Sequence, residues 1–144
     1  MGLHDKLKNH REEKLKAEKE LALSFMAANK QKEDVVELPN GIQYTILKEG
    51  TGSRPTIQST IKAHYRGCLL DGKEFDSSFK RNQPFTAPLT SLIKGWQEVV
   101  PLMPEGSTWR FWIPSHLAYG DYGTGGIPGG ATLMFDIELI KVFS

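Results

Sequence analysis

Apolar residues recur along this chain with two different periods, and the change from one to the other falls near Asp34. Before it the spacing is helical. At about 100° per residue, Leu3, Leu7, Leu21, Ala22, Phe25 and Ala28 share one side of a helix predicted from about His4 to about Lys32. Arg11, Lys14 and Glu18 interrupt that side. The stripe is therefore two apolar patches separated by solvated turns, not the unbroken seam of a coiled coil. It predicts a helix docked at one end, with the Leu3/Leu7 end either bathed in water or meeting a second copy of the chain. Asp5 suits the positive end of such a helix, and Lys30 and Lys32 the negative end.

From Val35 onward the period shortens to two. Strands are predicted near Ile42–Lys48, after the Pro39-Asn40-Gly41 turn, and over Thr60–Leu70. Asp71-Gly72 predicts a hairpin with both central residues at positive φ, and a return strand near Lys73–Asp76. Residues 108–114 set Trp109, Phe111 and Ile113 against Arg110 and Trp112. Residues 132–142 place Leu133, Phe135, Ile137 and Leu139 on one face. A single helix interrupts the strands. Leu92, Ile93, Trp96, Val99 and Val100 recur at helical spacing, Thr90 or Ser91 can cap them, and Pro101 ends them. One short apolar helix among antiparallel strands packs most economically on the concave side of a curved sheet. The predicted fold class is α+β: a curved antiparallel β-sheet wrapped around one short α-helix, preceded by a long N-terminal helix. Residues 1–34 form the charged arm and residues 35–144 the body.

Composition sharpens this division. All 8 prolines, all but one of the 14 glycines and every aromatic residue except Phe25 lie after Asp34. With 18 Lys and Arg against 17 Asp and Glu, the net charge is +1, which argues against a nucleic-acid partner. No run approaches the roughly 20 apolar residues that span a bilayer. Residues 21–28 have the length of a signal-peptide core, but a long charged segment precedes them where a short basic one belongs. The chain as it stands is expected in the cytoplasm with no membrane partner. A periplasmic protein whose signal peptide had been removed would read the same way.

Most catalytic chemistries lack their residues. The Gly-rich stretch from Gly120 to Gly130 has no Gly-Lys-Ser/Thr and leads into a strand, so it reads as a flap beside a site and not as a phosphate loop. Among the 4 histidines there is no pair four residues apart, and there is no G-x-S-x-G elbow, so no metal and no serine nucleophile is expected. Cys68, the single cysteine, shares a strand face with His64 by period two, but a buried strand cysteine is the ordinary case. What remains is an aromatic excess. Tyr65, Phe75, Phe85, Trp96, Tyr119 and Phe135 either form core or line an apolar cleft, with Asp76 as a polar group at its edge.

Six segments then carry a resemblance: Ala63-His64-Tyr65-Arg66-Gly67, Leu70 through Ser78, Arg81-Asn82-Gln83-Pro84-Phe85, Leu92-Ile93-Lys94-Gly95-Trp96, Leu117-Ala118-Tyr119-Gly120 and Ala131 through Asp136. In order and spacing they resemble FKBP-type peptidyl-prolyl cis-trans isomerases. Residues 24–30 and 41–44 resemble the bacterial subgroup of the macrophage infectivity potentiator, in which a long N-terminal helix belongs to a dimer. The resemblance implies Asp76, Tyr119 and Phe75 as catalytic residues. It implies Tyr65, Phe85, Leu92, Ile93, Trp96, Ile127 and Phe135 as substrate-binding residues. Trp96 would floor the prolyl site, the Ile93 N–H and the Tyr119 hydroxyl would meet ligand carbonyls, and Arg81 would hold Asp76. No cofactor or metal is implied. Proline-containing polypeptides are the implied substrates, rapamycin-like macrolides the implied inhibitors, and a homodimer through the arm an implied assembly. A non-catalytic chaperone using the same cleft is the alternative function. Where the family commonly has two prolines this chain has Pro128-Gly129, which predicts a looser flap.

The chemistry suits these residue types. Amide rotation faces a barrier of about 18–20 kcal/mol from lost resonance, and X-Pro bonds alone populate both isomers appreciably. No bond breaks, so no nucleophile or metal is needed, only an apolar site for the twisted amide and a few fixed donors.

Overall fold

Leu3–Asn29 forms α1, in the computed structural model, which describes residues 2–143. Met1 and Ser144, the outermost residues of the predicted arm and body, lie outside the described residues. The helix stops three residues short of the predicted end because its last turn tightens. Gln31 N–H donates to Ala28 and Lys32 N–H to Asn29, both three residues back.

The arm is docked over half its length. Ala22 and Asn29 are buried, and Leu15, Glu18, Phe25 and Met26 are half-buried on the same face, whereas Leu3, Leu7 and Leu21 are exposed. The docking surface is the outer face of the sheet. Phe25 packs on Trp112 with ring centroids 6.5 Å apart. Asn29 Nδ2 donates to Gln43 Oε1 at 2.8 Å, and Gln43 Nε2 donates to the Met26 carbonyl and to Glu37 Oε2, each at 2.9 Å. Trp112, assigned by alternation to the polar face, is buried there because the arm covers it.

Among the described residues seven strands make one antiparallel sheet: β1 (Val36–Glu37), β2 (Gln43–Lys48), β3 (Thr60–Leu69), β4 (Glu74–Ser77), β5 (Phe85–Pro88), β6 (Thr108–Ile113) and β7 (Leu133–Phe143). Their order is β1-β2-β6-β7-β3-β4, with β5 also on β3. β1 and β5 escape sequence reading because a two-residue strand and a four-residue strand ending in Pro88 show no alternation. The β3–β4 turn differs from expectation. Only Gly72 has positive φ, and Gly72 N–H donates to Leu69 while the Asp71 carboxylate accepts from Lys73 N–H at 2.8 Å. The Asp71 side chain thus closes a longer loop, and the return strand starts at Glu74.

The sheet curves around α2 (Lys94–Val99), whose Trp96 and Val99 join the core with Ile61, Leu89, Phe111, Leu133 and Ile137. This helix starts later than predicted. Leu89–Ser91 is a separate 3-10 turn, Leu92 is extended, and Ile93 stands at the N-cap. Among the described residues no helix is long and apolar enough to cross a membrane.

Candidate functional site

The site begins with a break in the ladder of β3. The strand edge facing away from β7 is shared: β5 pairs with Thr60 to Ala63, and β4 pairs with Arg66 to Cys68. Tyr65 falls in the gap, where Ser78 replaces a strand. Ser78 N–H donates to the Tyr65 carbonyl at 2.9 Å, and Tyr65 N–H donates to Ser78 Oγ at 2.7 Å. The break lets β4 and β5 splay apart, and a cavity of about 250 Å³ opens beside it.

Aromatic rings make the walls. Trp96, nearly buried, meets the rings of Tyr65, Phe85 and Phe135 edge-on at 5.5, 5.7 and 5.5 Å. Phe75 stands perpendicular to Phe135 at 5.7 Å. These two rings lie over the backbone of Gly67, where a Cβ would come within 2.6 Å of Phe75 Cζ and 2.9 Å of Phe135 Cε1. Leu92, Ile93, Asp76 and Tyr119 complete the lining.

The polar groups fall into two sets. Asp76 is fully engaged: Oδ2 accepts from the Tyr65 hydroxyl, while Oδ1 accepts from Arg81 and, at 2.9 Å, from Ser77 N–H. Arg81 also donates to the Tyr65 hydroxyl at 3.1 Å and lies over that ring. Burial alone would push the Asp76 carboxyl up. The hydrogen bonds from Tyr65 and Arg81, with the Arg81 charge, outweigh it and hold the group below its ordinary value. Burial first, and then the bond to Asp76, push the Tyr65 hydroxyl above its ordinary value. Tyr65 thus stays a neutral donor and Asp76 a satisfied carboxylate. The second set is unengaged. Among the described residues neither the Ile93 N–H, at the head of α2, nor the Tyr119 hydroxyl has a hydrogen-bond partner.

Nine of the ten residues implied for the site are brought together here, and Ile127 is not. Ile127 is buried at the base of the flap, its backbone paired both ways with Thr124. The flap itself is cross-bonded: Gly123 N–H donates to Tyr119 and Gly130 N–H to Gly120. At Gly129 a Cβ would lie 1.8 Å from the Asp121 carbonyl oxygen, so the loop folds back tightly at the residue expected to loosen it. Cys68 and His64 do not combine. A bulge at Gly67/Cys68 breaks the shared period, Cys68 is buried, and His64 stacks on Phe79 with Nδ1 2.8 Å from Ser78 Oγ. Sequence reasoning missed the role of Ser78, for which the only signal was a small hydroxyl residue directly after the β4 pattern.

Comparison with known proteins bears on this geometry. The family profile described as FKBP-type peptidyl-prolyl cis-trans isomerase matches residues 52–140, and one described as the domain amino terminal to it matches residues 1–46. The chain is 48% identical over 118 residues to "FKBP-type peptidyl-prolyl cis-trans isomerase FkpA" of Aeromonas hydrophila, covering 82% of this chain and 44% of that one. It is 45% identical over 120 residues to "Outer membrane protein MIP" of Legionella longbeachae, covering 83% and 52%. The crystal structure of FkpA from Escherichia coli superposes with a TM-score of 0.91 at 32% identity, covering 94% of this chain and 64% of that one. The chain spans about half the length of the curated relatives it matches.

Proposed function

With the chain belonging to the FKBP-type peptidyl-prolyl cis-trans isomerase family, we propose that it accelerates rotation about X-Pro bonds in polypeptides, and that residues 35–144 carry the activity. One observation carries the reading: an aromatic cavity floored by Trp96 presents two unengaged donors, the Ile93 N–H and the Tyr119 hydroxyl, and no free base. That combination suits an amide whose transition state has lost resonance and charge separation, and it suits little else. The prolyl ring packs on Trp96. The two donors hold the carbonyls that flank the rotating bond. Phe75, Phe85 and Phe135 exclude water, so the twisted, less polar amide is favoured over the planar one. Asp76 takes no proton, because all of its contacts are donors to a carboxylate. It fixes the Tyr65 ring and sets a negative charge at the cleft edge.

Other parts of the reading follow from the same cavity and arm. Rapamycin-like macrolides occupy the cleft and quench Trp96. Ile127 contributes to ligand binding from beneath the flap. A second copy of the chain packs on the exposed Leu3 and Leu7 of the arm. The outer-membrane name of one relative favours the cell envelope over the cytoplasm.

The test is a protease-coupled assay on short X-Pro peptides with the full chain. Acceleration above the uncatalysed rate at micromolar protein is expected, with a preference for an apolar residue before proline. No acceleration, together with retained protection of an unfolded client, would leave the chaperone reading in its place.

A further inference from the structure

A second cavity, of about 650 Å³, lies between the arm and the flap. Its walls follow from the helical period. Lys8, Arg11, Glu12, Leu15 and Lys19 fall three, four or seven residues apart on one face of α1, the face that farther along carries the buried Ala22 and Asn29. The charged half of that face therefore looks at the flap. Two contacts fix the spacing. Lys19 Nζ lies 3.0 Å from Asp121 Oδ1, and a Cβ at Gly130 would be 2.9 Å from Leu15 Cδ1 and 3.0 Å from Lys19 Cγ. The groove is thus closed at its Leu15/Lys19 end, and its lining runs along the arm to Lys8.

Its charge is one-sided. Asp121 is neutralised by Lys19, which leaves Lys8, Arg11 and Lys14 against Glu12 alone. On the flap wall Tyr122 is 99% exposed, a large ring with nothing on it. The groove and the isomerase cleft share one loop. Tyr119 lines the cleft, and three residues later Tyr122 lines the groove. Three residues of extended chain span at most about 11 Å. A polypeptide with its proline on Trp96 can therefore enter the groove within a few residues.

Resting on the isomerase reading, we propose that this groove binds an acidic flanking segment of the polypeptide substrate, so that the arm directs the enzyme to prolines with Asp or Glu nearby. The carboxylates meet Lys8, Arg11 and Lys14, and an apolar side chain of the segment covers Tyr122.

The experiment compares three peptides of one X-Pro core: a tetrapeptide, the same core extended on both sides by acidic residues, and the same core extended by neutral polar ones. Each is assayed with the full chain and with an Arg11→Glu/Lys14→Glu variant. Both substitutions are at exposed helix positions, and circular dichroism checks the fold. With the unaltered chain, KM for the acidic peptide is expected to be about three- to tenfold below that for the neutral one, given the modest strength of exposed ion pairs. The difference should shrink when salt shortens the screening length. In the variant it should vanish or reverse, with the tetrapeptide turned over as before. Equal KM for both extended peptides, or a preference that survives in the variant, overturns the proposal. If the tetrapeptide is not turned over at all, the isomerase reading has failed. Fluorescence anisotropy of the labelled extended peptides on both proteins then decides the groove by itself, with equal affinity for the acidic and neutral peptides rejecting it.

Discussion

Ser78 holds the Tyr65 backbone at both its polar groups, donating its N–H to the Tyr65 carbonyl and accepting the Tyr65 N–H on its hydroxyl oxygen. Ser78 is fully buried, so no water can take over. Ser78→Ala would leave the Tyr65 N–H and His64 Nδ1 without their partner, and an unsatisfied buried group costs about 1–3 kcal/mol. We expect a loss of that size in denaturant titration, together with a fall in kcat/KM, because the Tyr65 ring forms a wall and its hydroxyl anchors Asp76. A loss of stability with unchanged turnover would show that the Tyr65 position is not critical.

Asp76 predicts an acid-side signature. Its folded pKa is held below the ordinary value, so the group stabilises the fold above the unfolded pKa of about 3.9 and loses that contribution as pH falls through the folded value. The native protein should therefore be more stable than Asp76→Asn at neutral pH, and the two melting curves should converge only in strong acid. Between neutral pH and about pH 5 the carboxylate does not titrate, so turnover should show no inflection attributable to it. An activity step near pH 6 that disappears in Asp76→Asn would contradict this.

Tyr119 and Phe75 separate hydrogen bonding from packing. The Tyr119 hydroxyl has no partner among the described residues, so Tyr119→Phe should leave the melting temperature unchanged. Its catalytic cost should not exceed about tenfold, the equivalent of one neutral hydrogen bond of roughly 0.5–1.5 kcal/mol. Phe75→Ala removes a half-buried ring packed on Phe135 and should cost about 3 kcal/mol of stability in addition to turnover. If Asp76→Ala and Tyr119→Phe are both fully active, the apolar walls alone carry catalysis.

The strands and helix were legible by period and the aromatics by type, but whether those aromatics form core or line a cleft was left open by both, and their gathering with Leu92 and Ile93 into one site was implied by the family resemblance alone. The break in β3 was not legible. It depends on Ser78 bonding a residue 13 positions away, and no local pattern encodes that pairing. The arm was half legible. Its helix follows from composition, but its docking depends on Gln43, a polar strand residue, and on Trp112, which alternation sets beside Arg110. A tryptophan and a glutamine on one outer face were the available sign that something covers it. The start of α2 was misjudged because Leu92 keeps the helical spacing of apolar residues while its backbone is extended.

The flap gives the last prediction. The family resemblance implies a second proline where this chain has Gly129, and introducing it would ordinarily stiffen a loop by limiting the unfolded chain. Here the local geometry forbids it. A Cβ at residue 129 would lie 1.8 Å from the Asp121 carbonyl oxygen, a backbone atom that cannot turn aside, and Gly130 N–H donates to Gly120 just beyond. Gly129→Pro should therefore open the loop. Amide exchange should quicken from Gly120 to Gly130, and Tyr119 should lose its position over the cleft, with KM rising more than kcat falls. The rest of the sheet should melt nearly as before, because Ile127 alone of the residues from Gly120 to Gly130 belongs to the hydrophobic core. A Gly129→Pro chain with slower flap exchange and a lower KM would mean that the loop readily adopts the two-proline conformation, and that the close approach at Gly129 has no part in placing Tyr119.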